Sequence, residues 1–159
     1  MTFDPNFAFY RDDRQLDAHP DENFWPAMKA EIRRLYDDRA RTYPDRVAKG
    51  RMPRADADRE MRVARAMAED AGAVDRTPDL RATWSDLIHC LRREITLRRQ
   101  HWPRQVEARR LAAVDGHIRI LVLEILHDVL WHTSGLPEAR AARAARTHHL
   151  DQQQLKRAA

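Results

Sequence analysis

Glu124 and His127 have a spacing that metalloproteins use. They stand three residues apart, and Glu-x-x-His on one helix supplies ligands to di-iron and di-manganese centres in helical bundles. Such a centre needs the motif on a second helix, together with a carboxylate from each of two others. Within the internal repeat described below, Arg65 and Ala68 occupy the equivalent positions. We therefore expect no metal site and no cofactor, and interpret Glu124, His127 and Asp128 as paired polar groups near an interface or at a solvated helix edge.

The stretch around Trp102 combines an aromatic ring with many arginines. Guanidinium groups bind a phosphate backbone, and an indole ring can stack on an exposed base. The alternative is structural, because arginine stems cover apolar surface and their head groups can pair with acids such as Asp37, Asp38 and Asp45. The candidate contacts to nucleic acid or to an acidic partner are Arg92, Arg93, Arg98, Arg99, Arg104, Arg109, Arg110 and Trp102, with Arg140, Arg143 and Arg146 further along the chain.

Other catalytic signatures are missing from the sequence. Cys90 is the single cysteine, which excludes an intramolecular disulfide and fits a reducing cytoplasm. His89 is not placed to activate the thiol, because adjacent residues of a helix do not face each other. The sequence has no Gly-rich phosphate loop, nucleophile elbow or zinc-ligand spacing. We therefore predict a protein that is not an enzyme. We also predict that it is cytoplasmic in a bacterial host cell, because residues 1–7 lack the features of a signal peptide.

The charge is distributed unevenly along the chain, whose formal net charge is +4. Residues 1–80 contain 15 Lys and Arg against 17 Asp and Glu, whereas residues 81–159 contain 14 against 8. A basic second half predicts an anionic partner or contact with an acidic protein surface. The alternative is a solvated, arginine-rich exterior that has no partner.

Residues 118–131 are expected to lie at the centre of the fold. Their apolar side chains cover nearly the whole circumference of a helix, and a helix that is apolar on all sides is buried among others. A membrane span needs about 20 mostly apolar residues, and this run is shorter and contains charged residues. We expect its surplus apolar surface to be covered by the chain termini or by a second copy of the chain. The candidate residues of such an apolar interface are Ile118, Val122, Ile125 and Val129.

Prolines, glycines and capping residues delimit the other helices. The aromatic-proline pairs at residues 43–44 and 102–103 are expected to interrupt two helices, because the residue before proline is displaced from the α region. Gly50 is expected to end a helix in the left-handed conformation. Helix starts are predicted at residues 77–78 and, with a capping box, at residues 83–86.

Residues 25–72 and 84–131 align as an internal repeat, with a constant offset of 59 and no gap. Such a unit predicts an elaborated αα-hairpin, and two hairpins form a four-helix core. The tryptophans that begin the two units are expected to anchor the core. Identical pairs include Trp25 and Trp84, Arg39 and Arg98, Pro44 and Pro103, Val47 and Val106, and Arg51 and Arg110.

The aromatic-proline corners resemble a motif of small uncharacterised proteins from bacteriophages and prophages. In those proteins an arginine-rich helix runs into Tyr-Pro, then Val, then Gly-Arg-Leu and an Ala-rich helix. Residues 39–52 are similar to this pattern and include Gly50, whereas residues 98–111 have Arg109 at the glycine position. The resemblance implies a phage setting and no particular activity.

The predicted fold is all-α, a small helical bundle of two tandem αα-hairpin repeats. We expect an irregular arm at residues 1–20, the bundle at residues 21–135 and an Ala/Arg-rich tail at residues 136–159. The function predicted first is a non-catalytic accessory protein of phage or prophage type that binds a host protein, a virion or packaging component, or a second copy of itself. The alternative is a nucleic-acid-binding accessory protein, and a distant alternative is a metal-dependent enzyme. No membrane partner is expected.

Overall fold

The computed structural model describes residues 20, 22–78 and 80–158. That part of the chain contains five helices and no strand, so the predicted all-α bundle is confirmed. None of the described helices is long and apolar enough to cross a membrane. The predicted arm lies outside the described residues apart from residue 20. The helices are α1 (Phe24–Ala48), α2 (Arg54–Asp70), α3 (Trp84–Glu107), α4 (Ala113–Thr133) and α5 (Pro137–Ala158).

The first four helices pair as two hairpins that pack into a common core. α1 packs against α2 and α3 against α4, while α1 also contacts α4 and α2 contacts α3. The centre of the core is apolar and contains Ile32, Leu91, Ile95 and Leu123, all fully buried. Each hairpin therefore covers the apolar face of the other, which neither could bury alone.

α4 is the central helix, and the chain itself covers most of its apolar surface. Val122 and Ile125 lie in the main core, only 7% and 9% exposed. This placement corrects the expectation that these two residues are open to a partner, because the helices of the same chain already bury them. Val129 is half-buried against the same core, and Ile118 alone of the four candidates is exposed, at 48%.

The C-terminal tail is a helix, α5, and it supplies part of the cover. It packs on α3, and its Ala139 and Ala142 are buried against Trp84 and Trp131. The two indole rings stack with their centroids 5.5 Å apart. The small alanine side chains let α5 approach these large rings closely, so the tail closes this end of the core.

The tryptophans that begin the two hairpins differ in their surroundings. Trp84 is buried, and its indole N–H donates to the Leu130 carbonyl at 2.9 Å, so its predicted role as a core anchor is confirmed. Trp25 is 52% exposed, and the same prediction for it is wrong. The adjacent Phe24 is the buried aromatic at the start of α1, at 5% exposure.

Both aromatic-proline pairs lie inside helices, so the prediction that they interrupt helices is wrong. α1 continues for four residues beyond Pro44, and α3 for four residues beyond Pro103. An interior proline costs about 3 kcal/mol, because it removes one hydrogen bond and crowds the preceding turn. Burial of the adjacent aromatic offsets this cost in α1, where Tyr43 is 6% exposed and packs with Met52 and Ala57.

The two corners that join the paired helices have the same backbone structure. At the offset of 59, the end of α1 coincides with the end of α3, and the start of α2 with the start of α4. Gly50 has a φ of 66° and its N–H donates to Val47 at 3.0 Å; Arg109 has a φ of 55° and its N–H donates to Val106 at 2.9 Å. The left-handed end predicted at Gly50 is therefore confirmed. These coincidences support the internal repeat, which stays a prediction.

One of the two predicted starts of α3 is confirmed. The Thr83 side chain accepts the backbone N–H of Asp86, and the Asp86 carboxylate accepts the backbone N–H of Thr83, both at 3.1 Å. No helix begins at residues 77–78, so that prediction is wrong. The Thr77 hydroxyl instead donates to the Glu69 carboxylate of α2 at 2.7 Å and holds the connecting segment against the bundle.

Candidate functional site

The structure separates the candidate arginines into buried and exposed groups. Arg92, Arg98 and Arg146 are buried, with 1%, 4% and 8% of their surface exposed. Arg143 is half-buried and donates to the carbonyls of Trp131 and Ser134 at 2.6 and 2.9 Å, which satisfies the C-terminal end of α4. These four arginines are therefore part of the folded core and its caps.

Arg98 is the centre of a buried ion network. Its guanidinium contacts Glu31 of α1 at 2.5 Å and Glu94 of α3 at 2.7 Å, and it lies over the Trp102 ring at 4.6 Å. Arg119 contacts Glu31 at 2.9 Å and lies over the same ring at 4.8 Å. Although burial alone would raise the pKa of Glu31, the two guanidiniums lower it below its usual value. The Trp102 ring thus already contacts two guanidiniums of the same chain.

Arg39 is the centre of a second network, whose partners the sequence reasoning did not identify. It lies 3.2 Å from Glu60 of α2 and 3.5 Å from Glu94 of α3, and donates to the Cys90 sulfur at 3.3 Å. Burial raises the pKa of the Cys90 thiol, so the thiol stays protonated beside the guanidinium. Arg93 is partly exposed and also contacts Glu60, at 2.7 Å. The only signal in the sequence was the identity of Arg39 with Arg98 in the aligned repeat.

The two networks are related by the same offset as the helices. Arg39 reaches residue 90, and its equivalent Arg98 reaches residue 31, which is the equivalent of residue 90. Arg39 also lies over the Tyr43 ring at 5.9 Å, as Arg98 does over Trp102. α1 and α3 therefore cross antiparallel about an approximate two-fold axis, with an arginine from each reaching the other.

A groove of about 620 Å³ opens beside this crossing, between the C-terminal halves of α1 and α3. We call it the inter-hairpin groove. All but one of its lining residues form pairs at the offset of 59. The pairs are Leu35 and Glu94, Asp38 and Leu97, Arg39 and Arg98, Thr42 and His101, Tyr43 and Trp102, and Arg46 and Gln105, with Arg93 in addition.

The lining of the inter-hairpin groove combines buried arginines, aromatic rings and exposed polar groups. Arg39 and Arg98 are buried, Tyr43 and Trp102 stand on opposite walls, and exposed polar groups such as His101 complete the lining. The ion pairs between helices fix these side chains before any ligand arrives. The exposed groups can then supply hydrogen bonds and charges to a bound molecule.

The remaining candidate arginines lie outside the groove. Arg104, Arg109 and Arg110 are exposed at the second corner, and Arg140 is exposed on α5. Arg99 is exposed as well, and donates to the buried Glu124 carboxylate of α4. Within the predicted cluster, only the corner arginines therefore form a group that faces solvent.

Glu124, His127 and Asp128 belong to a buried polar cluster between α3 and α4. Arg92 donates to His127 Nε2 at 3.1 Å, and the other ring nitrogen of His127 lies 3.2 Å from Asp128. Burial lowers the pKa of His127 to about 4, while burial and the Asp128 charge raise the pKa of Glu124 to about 7. The polar neighbours of His127 and Glu124 thus include Arg92 and Arg99, and no cluster of metal ligands occurs within residues 22–78 and 80–158.

No protein-family model, curated protein or solved structure matches this chain. A proposal of function therefore rests on the geometry of the groove, the buried ion networks and the corner arginines.

Proposed function

We propose that this protein is a non-catalytic interaction protein whose inter-hairpin groove binds a segment of a protein partner. The observation that carries the proposal is a groove of about 620 Å³ whose lining is locked by ion pairs between α1, α2 and α3. A site whose side chains are already fixed loses little conformational entropy on binding, so more of the contact energy appears as affinity. Grooves between helices accept helical or extended peptide segments in many complexes.

A protein partner suits the groove better than a duplex nucleic acid does. Both aromatic rings already contact guanidiniums of this chain, so neither is free to stack on a base. The arginines around them are held by Glu31, Glu60 and Glu94. The partner is a host protein, a virion or packaging component, or a second copy of the chain, and the phage or prophage setting rests on the resemblance of the corner motif.

Site-specific photo-crosslinking in the cells that carry the gene tests the proposal. A photoreactive phenylalanine analogue replaces His101, which is exposed on the α3 wall, and Ala141, exposed on α5, serves as the control position. We expect a discrete protein adduct from position 101 and none from position 141. Blocking the groove with Thr42→Trp should remove the adduct. Equal adducts from both positions, or an adduct that survives the blocked groove, would contradict the proposal.

Nucleic-acid binding is the second candidate, and the observation that favours it is the exposed group at the second corner, Arg104, Arg109 and Arg110. Binding through phosphates alone is weak in sequence preference and steep in salt dependence. If this candidate holds, changing the three arginines to Gln should abolish the mobility shift of a short mixed-sequence DNA at low salt. An unchanged shift would exclude the corner as the DNA contact.

A further inference from the structure

A second depression adjoins the inter-hairpin groove at the corner between α1 and α2. Its volume is about 360 Å³, and Arg46 and Arg93 line both it and the groove. Arg51 and Arg59 add two more guanidiniums on its far side. The two depressions therefore adjoin, and we call them together the track, which begins between α1 and α3 and passes the first corner.

The track carries more guanidiniums than carboxylates. Its lining contains six arginines and four acids, and each acid is already paired with an arginine. Arg46 is exposed and contacts only the Tyr43 ring, at 6.0 Å, while Arg51 is exposed at the corner. Neither forms an ion pair with a carboxylate of the described residues. A ligand that enters the track would therefore meet the positive charges of Arg46 and Arg51 first.

We propose that the track binds an extended acidic segment of a protein partner, with carboxylates that pair with Arg46 and Arg51. The proposal rests on the proposed function, since it names the chemistry that the groove would recognise. Two accessible guanidiniums beside a narrow groove match a few carboxylates along a peptide, whereas tight binding to DNA uses about six to ten phosphate contacts. A peptide backbone that rises about 3.3 Å per residue can also pass from one depression to the next.

Fluorescence anisotropy with a labelled peptide of alternating Glu and Ser tests this proposal. The matched probe has Gln in place of every Glu, and a labelled single-stranded DNA is measured beside them. The test variant is Arg46→Gln with Arg51→Gln. Its control is Arg104→Gln with Arg110→Gln, which removes the same charge from exposed positions of the second corner.

The wild type should bind the Glu peptide, and it should bind the Gln peptide much more weakly. The test variant should bind the Glu peptide about fivefold more weakly than the wild type, as expected for the loss of two exposed ion pairs. The control variant should bind like the wild type. The acidic track would be overturned if the Glu peptide does not bind, or if both variants lose the same affinity for it. It would also be overturned if DNA binds more tightly than the peptide and loses affinity in the test variant. The groove could still bind a partner by other contacts, and the crosslink blocked by Thr42→Trp reports on that separately.

Discussion

Replacing Arg98 by Met should strongly destabilise the bundle, because it removes the central cation of a buried ion network. Arg98 is 4% exposed and contacts Glu31, which is 1% exposed, at 2.5 Å. Removing one partner of a buried ion pair costs about 3–5 kcal/mol, since the other charge stays buried without compensation. Glu31 keeps its contact with Arg119, at 2.9 Å, so the lower end of that range, about 3 kcal/mol, is expected.

A loss of about 3 kcal/mol is a large share of the roughly 5–15 kcal/mol that stabilises a typical domain. For a chain of this size it corresponds to a fall in Tm of about 6–12 °C. Urea unfolding followed by far-UV circular dichroism measures the free energy of unfolding. Arg104→Met, at an exposed position near the end of the same helix, is the control and should change it by less than about 0.5 kcal/mol.

The reasoning also predicts a non-additive double variant. Glu31→Met combined with Arg98→Met leaves apolar side chains where two charges were buried, so it should be more stable than Arg98→Met alone. If Arg98→Met costs no more than Arg104→Met, or if the double variant loses the sum of the two single losses, the buried ion pair does not stabilise the bundle as argued.

Three further measurements test the corners and the buried histidine. Pro44→Ala should raise the free energy of unfolding by about 1 kcal/mol, as the restored helix bond outweighs the lost rigidity of the unfolded chain; a decrease would show that the ring packs favourably. Gly50→Ala should lower it by about 1 kcal/mol and Arg109→Gly should raise it similarly, because both positions have positive φ; opposite signs would contradict this. The lowered pKa of His127, about 4 against an ordinary 6.5, gives stability that is present above pH 6.5 and lost as the pH falls through 4, by about 3 kcal/mol. The raised pKa of Glu124, about 7, has the opposite dependence, so the loss should be steepest in Glu124→Gln. It should be smaller when His127 is also changed to Gln, because the carboxylates with lowered pKa, such as Glu31, then cause what remains of it.

Helix content and pairing could be predicted because they follow from local patterns. The apolar positions of α3, the capping box at Thr83 and the left-handed end at Gly50 depend on residues a few positions apart. The proline positions could not be predicted by the same rules. Whether Pro44 ends a helix depends on how much the burial of Tyr43 stabilises the last turn, and that contact comes from α2.

The exposure of the arginines depended on partners that are distant in sequence. The expected acids, Asp37, Asp38 and Asp45, are exposed and pair with cations three or four residues away in sequence. The acids that hold Arg39 and Arg98 are the buried Glu31 and Glu60 and the partly buried Glu94. A composition or charge count gives the same value for both arrangements, so only the three-dimensional arrangement of α1, α2 and α3 could decide between them.

The approximate two-fold relation of the hairpins gives the inter-hairpin groove equivalent positions that are not all alike. Arg39 and Arg98 are identical, and each contacts the other hairpin. Arg46 with Gln105 and Thr42 with His101 differ. Those differences give the two walls unlike charge, so a bound segment meets Arg46 on one wall only and should bind in a single direction.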